Sequence, residues 1–410
     1  MSLVLILGLL ALFFTAAIGV PVAFSIIIGV ITYLGFAGQD IAIAGETIVQ
    51  RLYDGFLLLA VPLFIVSANI MNAGTISDRL LKFCISLVGG LRGGLGHVNV
   101  VASLIFSGMS GSAVADAAGI GKIIIEMMVK SGLYTRGYAA AITAATATIG
   151  PIIPPSIPMV LYALVSNTSI TSLFLGGIVP GLLMGTVLMG MNAWISHKRQ
   201  FGQQSRVNFT ELPLVTLRAT PALLMPAILL FGIYSGVTTP TEAAAIAALY
   251  ALLVSVLLYR ALQLRTLYEV FVESARSAAS VGLVIGASMI LTYVVIQEDV
   301  PQIISATLSV VDISPLVFLI FVNVLVLLLG CILDATVIIL VIVPLFIPTC
   351  QALGIDLVHF GVLVVVNSMI GLITPPYGIL LFVINAVTDI PLKEIIGEIW
   401  AFLGVLLAAL

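Results

Sequence analysis

The sequence predicts an all-α polytopic membrane protein made of two inverted halves, each with one re-entrant hairpin and one broken helix. Three observations carry this expectation: the composition, a Gly-to-Pro-Pro break that occurs once in each half, and a one-sided distribution of basic residues. Of the 410 residues, 61% are hydrophobic and 8% charged, and the mean hydropathy is +1.28. A soluble domain with these values would expose apolar surface on every side. A spanning helix needs about 20 mostly apolar residues, which leaves room for roughly ten spans and some shorter pieces. Segments of about ten residues with alternating polarity, as a barrel would need, are not seen.

In chain order, the apolar run 3–36 divides at Gly19-Val20-Pro21 into helices near 3–18 and 21–36. It has no small-residue cleavage site after a short core, so it reads as structure and not as a signal. A polar connection with Asp40, Glu46, Arg51 and Asp54 leads to a span at 56–73. Residues 76–92 mix Asp78, Arg79, Lys82 and Arg92 with Leu80, Leu81, Phe83 and Leu87, a pattern for a helix lying along the interface.

The next stretch, Phe106 to Asp116, gathers Ser107, Ser110, Ser112 and Asp116 among small residues. Small residues let helices approach closely, but that does not explain the hydroxyls or the carboxylate, because an ionisable group in a bilayer usually marks a pathway or site. Arms at 95–106 and 113–128 are too short for two spans. A hairpin that turns back is expected, which requires a tip lying in protein or in a wet cavity.

A span from Tyr138 then meets Gly150-Pro151-Ile152-Ile153-Pro154-Pro155-Ser156-Ile157-Pro158. Four prolines in eight residues cannot continue a helix, so the segment is expected to be unwound. A span at 172–194 and a polar connection from His197 to Arg218 close the first half. The second half repeats the plan with spans at 221–236, 240–258 and 278–296, a polar turn at Asp334-Ala335-Thr336, and a break at Gly371-Leu372-Ile373-Thr374-Pro375-Pro376-Tyr377-Gly378. Asp116 precedes Pro154 by 38 residues and Asp334 precedes Pro375 by 41, while Gly150 and Gly371 each stand four residues before a Pro-Pro pair. Paired interrupted helices in two halves are the best sequence pointer to a transport site at their interface.

With residue 1 outside and five spans plus a hairpin per half, every Lys and Arg except Arg51 falls inside, including Arg206. Asp40, Glu46, Asp54, Glu298, Asp299, Asp312 and Asp356 fall outside, in accord with the positive-inside rule. An odd number of spans per half inverts the repeat. The expected units are scaffold helices at 1–75, an arm, hairpin and broken helix at 76–196, a cytoplasmic linker at 197–220, scaffold helices and arm at 221–276, the second hairpin and break at 277–394, and a last helix at 395–410. That last apolar run ends abruptly, so it is expected to be a short span or to lack some natural C-terminus.

A broken helix and a hairpin tip both present free carbonyls and free N–H groups. Carbonyls, hydroxyls and a carboxylate suit Na⁺, and N–H groups at a positive dipole end suit an anion. The candidate cation ligands are therefore Ser110, Ser112 and Gly150 in the first half and Asp334, Thr336, Gly371 and Thr374 in the second, for two or more ions. An anionic substrate is expected between the tips, touching Ser112, Pro154, Pro155, Thr336, Pro375 and Pro376. Asp116 ranks below the serines, since it could cap the second arm or pair with Lys122, whereas Asp334 has no basic residue near it in sequence. Glu242 in Thr239-Pro240-Thr241-Glu242 reads as a residue opening a helix. Trp194 and Trp400 read as interfacial anchors. Cys84, Cys331 and Cys350 are too scattered for a disulfide framework or a CxxC site.

Enzymes are the rival class. Gly108-Met109-Ser110-Gly111 matches the Gly-x-Ser-Gly pattern of intramembrane serine proteases, but His97, His197 and His359 fall near span ends or in a loop, far from Ser110. Gly121-Lys122 lacks the remainder of a phosphate loop. A channel would need a continuous polar pore, whereas the polar groups here cluster at two points.

Ser110 to Asp116, Gly150 to Pro158, Gly236-Val237-Thr238-Thr239-Pro240-Thr241-Glu242-Ala243-Ala244 and Ile373 to Gly378 together resemble the large membrane (M) subunit of tripartite ATP-independent periplasmic (TRAP) transporters. The likeness runs from about residue 15 to 400 in one register. It implies a bacterial inner-membrane protein, periplasmic at its N-terminus, that works with a small four-helix subunit (Q) and a soluble periplasmic binding protein (P). It implies sodium-driven uptake of an organic anion such as a C4-dicarboxylate or sialic acid, with 76–196 and about 277–390 moving as an elevator against scaffold spans 3–73 and 221–258, which would contact the small subunit. The pattern starts at residue 1, so the small subunit is expected to be a separate chain. Membrane lipid is the surrounding solvent, and no nucleic-acid partner is expected.

Overall fold

The computed structural model describes residues 2–73, 76–202, 212–303 and 314–410. Regular structure in these residues is entirely helical. Five helices are each long and apolar enough to cross a membrane alone: Ile170–Lys198, Leu212–Tyr234, Pro240–Leu258, Leu264–Gln297 and Ala335–Ala352. Seven shorter apolar helices of 10–17 residues accompany them. Part of the expected linker, 203–211, lies outside the described residues, as do Arg206 and Asp312.

Helix starts follow local chemistry. The Ser2 hydroxyl accepts from Leu5 N–H at 3.1 Å, the Thr135 hydroxyl from Tyr138 N–H at 3.3 Å, and the Asp356 carboxylate from His359 N–H at 2.9 Å. Each occupies one of the first N–H groups that a helix leaves unpaired. Thr239 and Glu242 form a full capping box over Pro240, as the Thr-Pro-Thr-Glu sequence predicts.

Three boundaries differ from expectation, one of them the start of Leu212–Tyr234, which comes nine residues before the expected span at 221–236. The stretch expected as a polar connection contains helix Ala42–Asp54; its apolar residues recur at helical spacing, and Ala44 enters the core beneath it. Leu264–Gln297 is one helix of 34 residues, where a span is expected only over 278–296. At about 1.5 Å per residue it measures roughly 50 Å, longer than a hydrocarbon core of about 30 Å. The polar residues Arg265, Glu269 and Glu273 thus extend the helix and do not end it.

Two sets of helices can be told apart by their heaviest packing, and they meet where Ala60–Ala73 and Ile76–Val88 lie on Gly94–Ser110. Leu3–Ala17 lies on Val22–Phe36, and Leu264–Gln297 packs on Val22–Phe36, Ala42–Asp54 and Ala60–Ala73. Ala60–Ala73 also packs on Pro240–Leu253, and Ile76–Val88 on Leu212–Tyr234. In the other set, Arg136–Ala147 lies on Leu392–Ala409, and Pro315–Gly330 on Leu357–Gly371. Trp194 and Trp400 project outward, both exposed. Bonds between distant segments join residues assigned to the same side: Glu298 accepts from the Ser2 hydroxyl at 2.7 Å and the Tyr33 hydroxyl at 3.0 Å, while Arg79 covers the Tyr259 ring at 3.9 Å and Arg92 meets His197 at 3.3 Å. The Ser2 hydroxyl, foremost, holds the Glu298 carboxyl below its usual range.

Gly330 and Gly371 show how tightly the second set packs. A Cβ on Gly371 would stand 2.7 Å from the Gly330 Cα, a distance only a backbone shift could relieve. Gly371→Ala is therefore expected to lower the thermal midpoint of the purified protein, by the equivalent of about 1–3 kcal/mol. Gly397→Ala, in a helix with nothing within 4 Å of the added methyl, is expected to leave it unchanged or raise it by up to ~1 kcal/mol. Differential scanning fluorimetry of both variants checks the contrast.

Candidate functional site

Helix Gly94–Ser110 ends at Gly111, whose φ of +59° turns the chain, and Ser112 caps the return by accepting from Ala115 N–H at 3.4 Å. The side chain can reach inward because the return is brief: a first turn, Ala113–Asp116, then a π turn, Ala117–Gly121, then Lys122–Lys130. Single π turns inside helices recur at functional sites. Ser110 is buried and its hydroxyl accepts from Ser112 N–H at 3.4 Å. A Cβ on Gly111 would stand 2.6 Å from the Pro155 carbonyl oxygen, so the tip is docked directly on the break.

That break separates Arg136–Ala147 from Ile157–Ser166 and contains a cis Pro154-Pro155 bond. Gly150 N–H donates to the Ala147 carbonyl at 3.2 Å and Ile152 N–H to the Ile149 carbonyl at 3.0 Å. The Ser156 hydroxyl donates to the Pro151 carbonyl and accepts from Met159 N–H, so it closes the turn and caps the next half-helix. Gly150, Pro154 and Pro155 are all buried.

The second half is built on the same frame. Pro315–Gly330 turns through 331–334 into Ala335–Val337, a π turn at Ile338–Ile342, and Val343–Ala352. Asp334 is exposed, and its Oδ2 accepts from Thr336 N–H at 2.9 Å as the helix cap. Leu357–Gly371 and Ile379–Thr388 flank a break with cis Pro375-Pro376. Tip and break are joined by Gly378 N–H donating to the Cys331 carbonyl at 3.1 Å. Thr374 turns its hydroxyl back to the Ile370 carbonyl at 2.8 Å, Thr336 and Pro375 are half-buried, and Pro376 is exposed.

The two halves interlock. Ile157–Ser166, the second part of the first broken helix, packs on Ala335–Val337 and the π turn of the opposite hairpin. Ile379–Thr388 packs on Ala113–Asp116 and its π turn. Ser110, Ser112 and Gly150 thus converge at one tip, and Asp334, Thr336, Gly371 and Thr374 at the other, with each tip braced by the other half.

Asp116 is the residue that sequence ranking undervalues. It is 3% exposed, Ser112 and not Asp116 caps the arm, and Lys122 is exposed with no ion pair to it among the described residues. A Cβ on Gly150 would collide with its Oδ2, so the carboxylate rests on the glycine at the break. Among the described residues Oδ2 has no hydrogen-bond partner, while the Ser110 hydroxyl lies close enough to bond the carboxylate. A buried carboxylate with no cation beside it is expensive and is kept where it does something. The available signal is an acid in an apolar run one helical turn beyond a cap. Among the described residues there is no group of three His, Cys, Asp or Glu side chains suited to a transition metal. Carbonyls, hydroxyls and a carboxylate suit a hard monovalent cation.

Ser110 has no hydrogen-bonded histidine. His97 lies in the same helix, about 20 Å away at 1.5 Å per residue, and His197 bonds Arg92. Between the two helix sets is a cleft of about 660 Å³, with Thr47, Gln50, Thr292 and Gln297 on one wall and Asn167 and Pro344 on the other.

Residues 9–410 match the family described as the DctM component of tripartite ATP-independent periplasmic transporters. The sialic acid TRAP transporter large permease protein SiaM of Vibrio cholerae is 41% identical over 94% of this chain and 90% of its own length. The C4-dicarboxylate TRAP transporter large permease protein DctM of Pseudomonas aeruginosa is 39% identical over 87% of this chain and 83% of its own. In fold, the chain is similar to the Alcanivorax borkumensis YdaH transporter, with a TM-score of 0.63 and 14% identity, covering 90% of this chain and 85% of that one.

If the Asp116 carboxylate is retained for a ligand and not for stability, removing its charge relieves a desolvation cost. Asp116→Asn is expected to raise the thermal midpoint in sodium-free buffer, by the equivalent of about 1–3 kcal/mol. It is also expected to abolish any further rise when NaCl replaces choline chloride. Thermal melts in the two salts read both effects.

Proposed function

This chain belongs to the DctM family, the large permeases of TRAP transporters, and from that premise we propose that it is a Na⁺-coupled secondary importer of an organic anion. It is a permease and not an enzyme, which removes the serine-protease reading of Ser110. The observation that carries the proposal is the interlocked pair of tips and breaks, where each half supplies hydroxyls, backbone carbonyls and a carboxylate at one locus. The first cation is held by Ser110, Ser112 and the Gly150 backbone, with Asp116 as the balancing charge. The second is held by Asp334, Thr336, Thr374 and the Gly371 backbone.

The substrate lies between the tips, beside Ser112, Thr336 and the prolines 154, 155, 375 and 376. Half-helices Ile157–Ser166 and Ile379–Thr388 start there, and their N-terminal N–H groups and positive dipole ends favour a carboxylate. Permeases named for sialic acid, C4-dicarboxylates and 2,3-diketo-L-gulonate are 35–41% identical to this chain, which supports a carboxylate-bearing substrate delivered by a periplasmic binding protein. A small four-helix subunit lies against the scaffold. Two longer relatives, SiaT of Haemophilus influenzae and DctMQ of Oleidesulfovibrio alaskensis, are matched over only 62% and 63% of their lengths, which leaves room for such a subunit in the same polypeptide. The setting is the bacterial inner membrane, with the N-terminus periplasmic, both hairpins re-entrant from opposite sides, and the hairpin-bearing set of helices moving as an elevator.

Proteoliposomes containing both membrane subunits and the cognate binding protein test the coupling. Uptake of labelled sialic acid or succinate is expected to fall to background when the inward sodium gradient is collapsed. Uptake that persists unchanged overturns the reading. Asp334→Asn is expected to reduce sodium-driven uptake at least tenfold while leaving assembly intact, on the scale of losing one charge-assisted interaction.

The moving part has its own check. Leu264–Gln297 packs with the scaffold helices Val22–Phe36 and Ala60–Ala73, so it stands outside the moving part expected over 277–390, and Gln297→Cys with Asn167→Cys places thiols on opposite walls of the cleft. Bridging them with a short bifunctional reagent is expected to halt uptake, and reduction of a cleavable bridge to restore it. Full transport in the bridged protein contradicts rigid sliding.

A further inference from the structure

In each half, one buried asparagine side-chain amide ties the first hairpin arm to the helix ahead of the break through two hydrogen bonds. In the first half, Asn99 Nδ2 donates to the Thr143 hydroxyl at 2.6 Å, and the Thr146 hydroxyl donates to Asn99 Oδ1 at 3.0 Å. In the second half, Asn367 Nδ2 donates to the Asn323 carbonyl at 2.7 Å and to Asn323 Oδ1 at 2.6 Å. Asn99, Thr143, Thr146 and Asn367 are at most 1% exposed. Thr146 stands four residues before Gly150 and Asn367 four before Gly371, so both ties sit one helical turn from a break.

The geometry points to these two ties as register pins: Asn99 with Thr146, and Asn323 with Asn367, are positioning residues that fix each hairpin tip against its break and thereby set the cation-ligand geometry. This rests on the sodium reading above. Packing alone would hold the register poorly. Between Arg136 and Ala147 the helix is buried all round and carries Ala139, Ala140, Ala141, Ala144, Ala145 and Ala147 with only Tyr138 and Ile142 as large apolar side chains, so most of its surface presents low ridges that slide easily on a neighbouring helix. A single buried polar pair selects one register where apolar contact would allow several, as an asparagine does in a coiled coil. Asn99 itself stands away from the tip, 12 residues before Gly111, about 18 Å along its helix.

The test is sodium-dependent thermal stabilisation of the full chain, titrating NaCl against choline chloride at constant ionic strength. Thr146→Val keeps the shape and removes the hydroxyl, and Asn367→Leu removes the second tie. Each is expected to raise the half-saturating sodium concentration about fivefold, the equivalent of one hydrogen bond. Thr146→Ser restores the donor and is expected to stay within about twofold of the parent. Asn323→Leu keeps the backbone acceptor and is expected to shift less than Asn367→Leu. An unchanged half-saturation in both Thr146→Val and Asn367→Leu overturns the inference, even if their midpoints in choline fall. So does Thr146→Ser shifting as far as Thr146→Val. If the parent itself gains nothing from sodium over choline, the sodium reading fails and the register-pin assignment falls with it.

Discussion

The structure depends on one constraint: backbone polar groups freed by two helix breaks must be satisfied in an apolar setting. A helix that stops at Gly150 or Gly371 exposes carbonyls on one side of the break and N–H groups on the other. In hydrocarbon each unsatisfied group costs several kcal/mol. Short turns within the break pair some of them, such as Gly150 N–H with Ala147 and Ile152 N–H with Ile149. Ser156 supplies a hydroxyl for the next half-helix. In the second half the hairpin tip covers one more, Gly378 N–H donating to the Cys331 carbonyl, and glycines at 111, 330 and 371 allow the backbones to meet.

The same constraint accounts for the interlocking of the halves. Each broken helix has a second part that starts at the site and leads away, and neither could bury its start against its own hairpin alone. Ile157–Ser166 reaches the second hairpin and Ile379–Thr388 the first. Both candidate sites are consequently braced by helices of the other half. The halves are not equivalent, however. The first site encloses a buried carboxylate and buried prolines, while in the second the carboxylate of Asp334 caps a helix at the surface and Pro376 is exposed.

Much of this was legible in the residues. The spans near 3–18, 21–36, 56–73 and 240–258 correspond to helices within a few residues, because apolar runs bounded by Gly, Pro and capping residues carry their own punctuation. The two breaks were legible because adjacent prolines forbid a helix whatever surrounds them. The helix at Ala42–Asp54 was not, since Glu46, Arg51 and Asp54 interrupt its apolar positions and its contacts are with Leu264–Gln297, far away in sequence. Nor was the full length of Leu264–Gln297, where charged residues look like a boundary but are as good at forming helix as the apolar ones.

For the site, the sequence by itself determined which segments matter: Ser110 to Asp116, Gly150 to Pro158, Asp334 to Thr336 and Gly371 to Gly378 are polar or helix-breaking in a chain that has little else of either kind. Tertiary structure decided the roles within them. Asp334 and Asp116 look alike in sequence, as single acids near a predicted tip, and sequence preferred the one without a nearby cation. Folding turns Asp334 outward as a cap and presses Asp116 onto Gly150, 34 residues away. The physical reason is that burial and partner are properties of the packed neighbours, and those neighbours come from another helix. Local sequence can say that a carboxylate is present and costly, but only packing determines which one is left without a partner.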